Sequence, residues 1–206
     1  LHRAVPGLPA HRSAVLPGIV LRSGFSAFCP AQGPLRALLL SEPLRPALGA
    51  ELALRSEQQC RAALRCADRA AERIVRHLRG CSVRLLLSSV KQHHAVIYYA
   101  KLYGLSVVEG LLSEEMALIS EITGVSPYAP FGDNMYREIT ETAVATFCQP
   151  LLLGSKRCAH IGFSSVCAFQ PHCLILCGPV DGVNEQHAAA LQEAFTMLRQ
   201  LSGTVD

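Results

Sequence analysis

Several groups of residues in this 206-residue chain have the types that chemistry uses. Lys91-Gln92-His93-His94 offers two imidazoles for a metal or for proton transfer. Successive helical residues point roughly 100° apart, so on a helix His93 and His94 make a poor pair of ligands for one ion. An exposed polar first turn is the plainer reading. Cys173 and Cys177 are four apart on a strand-like run beside His172 and share a face, but no second ligand pair is near, so zinc is not implied. Gly178-Pro179-Val180-Asp181-Gly182 precedes a helix, as a phosphate loop would. It lacks both the GxGxxG and the GK[ST] patterns, and Pro179 removes an N–H that a phosphate would use. Ser88-Ser89 and Ser164-Ser165 lie in no GxSxG elbow. The nine cysteines are odd in number and include no CxxC, which suits small buried apolar groups in a reducing compartment. These groupings predict no catalytic residue, no cofactor site and no metal site.

The elements that would position such groups are clearer. Ser82–Val90 is an apolar strand, Lys91–Tyr103 an amphipathic helix stopped by Gly104, and Leu105–Glu109 a second apolar strand. That is a βαβ unit, whose parallel strands need cover on both faces. Before it, Ala14–Leu21 reads as a strand broken at Pro17-Gly18, followed by a loop and a short strand, Leu35–Ser41. Ser56–Arg79 is the most regular helix, with apolar residues at 60, 63, 64, 67, 71, 74, 75 and 78. Ser56 and Gln59 suit a capping box, and Gly80 a left-handed stop. Arg61, Arg65, Arg69, Arg73 and Arg76 line that helix within reach of Glu57, Asp68 and Glu72, which predicts a solvated, salt-bridged face.

A further helix runs from Ser113 to Gly124, and Val125–Arg137 is rich in turns. Strand-like runs follow at Ala143–Cys148, Arg157–Phe163 and Cys173–Cys177. The last helix presents Val183, His187, Ala190, Leu191, Ala194, Phe195, Leu198 and Leu201 along one side. The expected fold class is α/β, a mixed sheet with a βαβ core flanked by helices and an extra strand layer, in one domain over residues 1–206.

Half of the residues are hydrophobic and 17% are charged, which describes a globular chain. A formal net charge of +3 is too mild to argue for nucleic acid. No apolar run has the length of a membrane span. The opening at Leu1, apolar and Pro-rich without an initiator Met, reads as a piece of a longer chain.

Two features point to binding. On the helix after Lys91, a core-facing stripe of Ala95, Tyr98, Tyr99 and Leu102 would leave Val96, Ile97, Ala100 and Tyr103 on wet faces. The segment Glu42–Ala50 carries Leu44 and Leu48 among prolines and a glycine, and is the best candidate for a projecting loop.

The chain resembles the apical domain of the group II chaperonins. Leu174-Ile175-Leu176-Cys177-Gly178 and the helix with Ala190-Leu191 and Ala194-Phe195 are similar to that family's strand, Leu-x-Gly stop and Ala-Leu-x-x-Ala-Leu helix. The helix Ser56–Arg79 and the strand Val83–Leu87 resemble the segment after the family's apical protrusion. The similarity is greater still to the divergent chaperonin-like Bardet-Biedl syndrome proteins. It is carried by Ser88-Ser89-Val90-Lys91-Gln92, Tyr98-Tyr99-Ala100, Ser106-Val107-Val108-Glu109, Leu176-Cys177-Gly178-Pro179-Val180 and Met197-Leu198-Arg199-Gln200-Leu201, among others between residues 80 and 201.

The resemblance implies a chaperone fragment that binds client or partner proteins and catalyses nothing itself, because the family's ATP site lies outside the apical domain. It implies assembly of the BBSome, a ciliary trafficking complex. The implied partners are other chaperonin-like proteins, cytosolic chaperonin subunits and BBSome subunits as clients, with no nucleic acid, no membrane insertion and no cofactor in this fragment. The implied location is cytoplasmic, with the basal body or ciliary base. Family contacts carried over by position give Gln92, His93, Val96, Ile97 and Ala100 on the helix and Arg22, Gly24 and Phe25 on a nearby loop. Leu44 and Leu48 join them from the projecting-loop reading. The family's basic pair after the second strand is absent, since Val107-Val108-Glu109 stands there. The rival expectation is a small α/β enzyme or ligand-binding domain. Its pocket would lie at the carboxyl ends of Val83–Ser88 and Ser106–Glu109, with His93, His94 and Glu109 as the groups to nominate.

Overall fold

The computed structural model describes residues 2–44, 57–129, 139, 141–165 and 170–202, apart from the side chains of residues 57–60 and 62–64. Among the described residues ten strands form two sheets. In chain order they are β1 (His2–Pro6), β2 (Ala14–Pro17), β3 (Ile19–Leu21), β4 (Phe25–Ala27), β5 (Leu35–Leu40), β6 (Val83–Ser88), β7 (Ser106–Val108), β8 (Ala143–Leu153), β9 (Lys156–Phe163) and β10 (His172–Gly178). The helices are α1 (Glu57–Gly80), α2 (His94–Leu102), α3 (Ser113–Thr123) and α4 (Asp181–Ser202). The larger sheet has the order β3-β9-β8-β5-β6-β7-β4, and the smaller β1-β10-β2. The βαβ reading holds: β5, β6 and β7 run parallel, with Leu38 opposite Leu86 and Leu86 opposite Val107.

These central strands are apolar on both faces because both faces are covered. On one side Leu38, Leu40, Leu86 and Val107 pack under α1 and α2, against Ile74, Val75, Leu78, Val96 and Ala100. On the other, Leu39, Leu85, Leu87 and Val108 pack against Met116, Ile119 and Ile122 of α3. The α1 stripe behaves as its spacing predicts, with Ala71, Ile74, Val75 and Leu78 buried. Residues 60, 63 and 64 of that stripe and the Ser56–Gln59 capping box lie outside the described side chains.

Several expectations are corrected. Gly80 is the last residue of α1, and the left-handed backbone falls at Ser82, with φ 63°. Strand β8 continues past Cys148 to Leu153 through Pro150. That proline pairs with Ala159 on one side only, beyond the stretch that meets β5, so its missing N–H breaks no second ladder. The Ala14–Leu21 strand is two strands in two sheets. Gly18 turns the corner with φ +83°, and a Cβ there would stand 2.5 Å from the Ile161 carbonyl oxygen. Cys173–Cys177 does not extend the β8–β9 hairpin but forms the centre of the small sheet, between β1 and β2. Two strands, His2–Pro6 and Phe25–Ala27, were not anticipated.

The small sheet packs α4 against β1 and β10. Its buried cluster is Val5, Val20, Cys158, Cys173, Ile175 and Cys177. Burial raises the thiol pKa of each of these three cysteines, in keeping with their reading as apolar filler. His172 faces outward while Cys173 and Cys177 face in, so the three do not converge. Of the expected apolar side of α4, Val183 and Leu191 are half-buried, and the C-terminal part finds no cover among the described residues. Phe195, Leu198 and Leu201 are 58%, 60% and 67% exposed. On α1, Arg76 pairs with Glu72 at 2.6 Å, whereas Arg65, Arg69 and Arg73 are exposed and make no ion pair among the described residues.

Candidate functional site

Helix α2 is pinned from below and from both ends. His93 is its N-cap, and its Nδ1 accepts the Ala95 N–H at 3.3 Å. Because His93 is extended rather than helical, its ring does not diverge from that of His94: the centroids are 4.1 Å apart. Gln92 is buried and ties three segments together. Its N–H donates to Glu109 Oε2 at 2.8 Å, its Nε2 to Ser88 Oγ at 2.8 Å, and its Oε1 accepts the Leu44 N–H at 2.8 Å. At the other end Tyr103 donates to Glu72 Oε1 at 2.6 Å and receives Arg76 Nη2 at 3.0 Å. Arg79 Nε donates to the Tyr103 carbonyl at 3.0 Å. The Tyr103 hydroxyl also holds Arg76 in its charged form, raising its pKa.

The buried side of α2 is Ala95, Val96 and Ala100, with Tyr99 half-buried beside them. The expected stripe is therefore rotated by roughly 80° about the helix axis, judged at 100° per residue. Tyr98 and Leu102, assigned to the core, are 64% and 62% exposed. With His94 and Lys101 they form the wet face, at spacings of four, seven and eight residues, and half-buried Ile97 borders it. Tyr98 is braced edge-on against Tyr99, with ring centroids 5.2 Å apart.

Strand β4 lies beside α2 and forms one edge of the large sheet. Phe25 packs on Phe28, with centroids 5.0 Å apart. Ser26 Oγ donates to Glu109 Oε1 at 2.9 Å, so one carboxylate holds both β4 and the start of α2. Ser106 Oγ accepts the Cys29 N–H at 3.0 Å and donates to the Cys29 carbonyl at 3.1 Å.

The residues nominated from sequence are split by the structure. His93 is exposed and Ile97 half-exposed on α2, and Phe25 is half-exposed on the adjacent strand. Gln92, Val96, Ala100 and Leu44 are corrected: all four are buried, three as core and Gln92 as a hydrogen-bonded tie. Leu44 therefore does not project, and Leu48 lies outside the described residues. Gly24 sits within about van der Waals reach of Arg157, where an added Cβ would be 3.1 Å from its carbonyl oxygen. Arg22 is exposed, but its backbone N–H is held by Glu115 on α3, and its side chain opens on a different cavity. Sequence reasoning missed Tyr98, Leu102 and Lys101 on this face, while the exposed polar turn it expected around His94 is present. The signal was present in the small residues Ala95 and Ala100, which let α2 approach the sheet closely.

Of the groups nominated for the rival enzyme reading, both Glu109 oxygens accept hydrogen bonds, His93 caps α2, and His94 is exposed against the His93 ring.

No family model matches the sequence. The chain is 45% identical over 209 residues to the BBSome complex assembly protein BBS10 of Pongo abelii. It is 44% identical to that of Mus musculus and to that of Homo sapiens, again over 209 residues. Along its whole length the chain is similar to BBS10. It spans 29% of the length of these BBS10 proteins. Among solved structures, an open-state monomer of a group II chaperonin from Methanococcoides burtonii superposes with a TM-score of 0.64. That match covers 94% of this chain and 42% of the chaperonin, at 14% identity. The fold is thus that of a group II chaperonin segment, and the sequence is BBS10-like. No described helix is long and apolar enough to cross a membrane.

Proposed function

We propose that this chain is a protein-binding module of a chaperonin-like BBSome assembly factor, and that it captures its partners on the exposed face of α2. The observation that carries the reading is the pairing of two large exposed side chains, Tyr98 and Leu102, on a helix whose other side is locked into the core. A rigid aromatic and an aliphatic anchor one turn apart suit a shallow apolar pocket on a partner, with His94 and Lys101 as the polar rim. Because the helix is already fixed, binding costs little ordering entropy. The names of the BBS10 relatives support a role in BBSome assembly. The partners we propose are other chaperonin-like proteins, cytosolic chaperonin subunits and BBSome subunits as clients, in the cytoplasm and at the ciliary base. The module works without catalysis and without a cofactor of its own.

The test is co-purification with purified chaperonin-like partners. Changing Tyr98 and Leu102 together to Lys is expected to reduce capture by about tenfold or more, the loss of roughly 1.4 kcal/mol or more of binding. The melting temperature should stay unchanged, since both side chains are exposed. Undiminished capture by a folded double variant would place the contact elsewhere.

A further inference from the structure

A cavity of about 470 Å³ lies away from the α2 face, between the small sheet and the β8–β9 hairpin. Its walls are β1, Arg22, the turn Leu153–Lys156 and Cys158. Arg3, Arg22 and Lys156 all open on it. The carboxylate beside Arg3 is Glu115, and it is fully engaged. It pairs with Arg3 Nη2 and accepts the N–H groups of Arg22 at 2.9 Å and Leu112 at 3.1 Å. Arg3 also donates Nε to the Val20 carbonyl at 2.8 Å. Its guanidinium is therefore held in place with Nη1 uncommitted among the described residues. The side chains of Arg22 and Lys156 make no ion pair among the described residues. Glu115 offsets Arg3, which leaves two cations facing one concave space without a counter-charge. At the buried Cys158 thiol, burial raises the pKa, while the charges of Arg3 and Lys156 lower it. Val5 and Leu153 give the same cavity an apolar side.

We propose that this cavity binds a small organic phosphate. Its dianion matches the two uncompensated charges, and its oxygens match the donors of Lys156, Arg22 and the free edge of Arg3. The carbon body rests on Val5 and Leu153, and the volume lies within the range of small-molecule sites. The site is independent of partner capture on α2.

The experiment is isothermal titration calorimetry of the chain with phenyl phosphate at low ionic strength, with benzoate as a singly charged comparison of similar body. One saturable site is expected, binding phenyl phosphate at least about tenfold tighter than benzoate. Lys156→Ala and Arg22→Ala should each weaken it by about tenfold or more, without a change in melting temperature, because both side chains are exposed. Arg3 is left intact, since its loss would strand Glu115. No saturable heat at millimolar phenyl phosphate, or equal affinity in both folded variants, would overturn the site. Benzoate binding as tightly as phenyl phosphate would overturn its assignment to phosphate.

Discussion

Helices α2 and α4 both display large apolar side chains, yet they do so in opposite circumstances. Helix α2 spans nine residues, buries Ala95, Val96 and Ala100, and is tied down at Gln92 and at Tyr103. Helix α4 spans 22 residues and buries only Asn184. Exposure on α2 is the free side of a fully packed element. Exposure on α4 is the main apolar side of an element that meets chiefly β1 and β10 among the described residues. An exposed leucine therefore carries a functional argument only when the opposite side of its helix is accounted for. That condition holds for Leu102 and fails for Leu198.

Substitutions at buried and exposed positions sharpen the contrast. Val96→Lys should cost about 4 kcal/mol or more, because it puts an unpaired ammonium among Leu38, Leu86 and Val107. Urea denaturation would measure it, and a loss below about 1 kcal/mol would mean that α2 is not packed as described. Glu115→Ala should cost about 3 kcal/mol, since it leaves the Arg3 guanidinium uncompensated between the small sheet and α3. The same denaturation series reads it, and adding Arg3→Met should recover part of the loss. Gln92→Ala should cost about 2 kcal/mol by orphaning the Leu44 N–H. Faster amide exchange at Leu44 is its signature. Leu198→Lys on α4 should stay within about 0.5 kcal/mol. A larger loss would mean that α4 has a packing partner within this chain.

How much of this was legible follows from physics. The βαβ unit was readable because three strands buried on both faces must be continuously apolar, and Leu35–Leu40, Val83–Ser88 and Ser106–Val108 nearly are. The stop of α3 at Gly124 was readable from one residue, which takes φ 69°. Strands of three to five residues, such as Phe25–Ala27 and His2–Pro6, are made by their partners Val107, Val108 and β10, and no local pattern announces them. Nor does alternation along Cys173–Cys177 reveal which sheet it joins. The rotation of α2 was missed because most of its residues are apolar or aromatic, so composition alone does not orient it. The buried Glu115 was invisible for a different reason: its partner Arg3 is 112 residues away.

The corner at Gly18 carries one more consequence. Its N–H donates to the Pro171 carbonyl at 2.7 Å, and next to it His160 Nε2 meets the Pro17 carbonyl at 2.6 Å. The polypeptide thus leaves the three-stranded layer and comes back to it through a single doorway. The strands of the large sheet, from Ile19 to Phe163, and helix α2 with them, lie between that exit and that return. The Arg3–Glu115 pair braces the corner from a second point. A pull applied to Tyr98 therefore reaches the small sheet through that corner, through the ion pair, and through the seam where Val20 and Cys158 pack with Val5, Cys173 and Cys177.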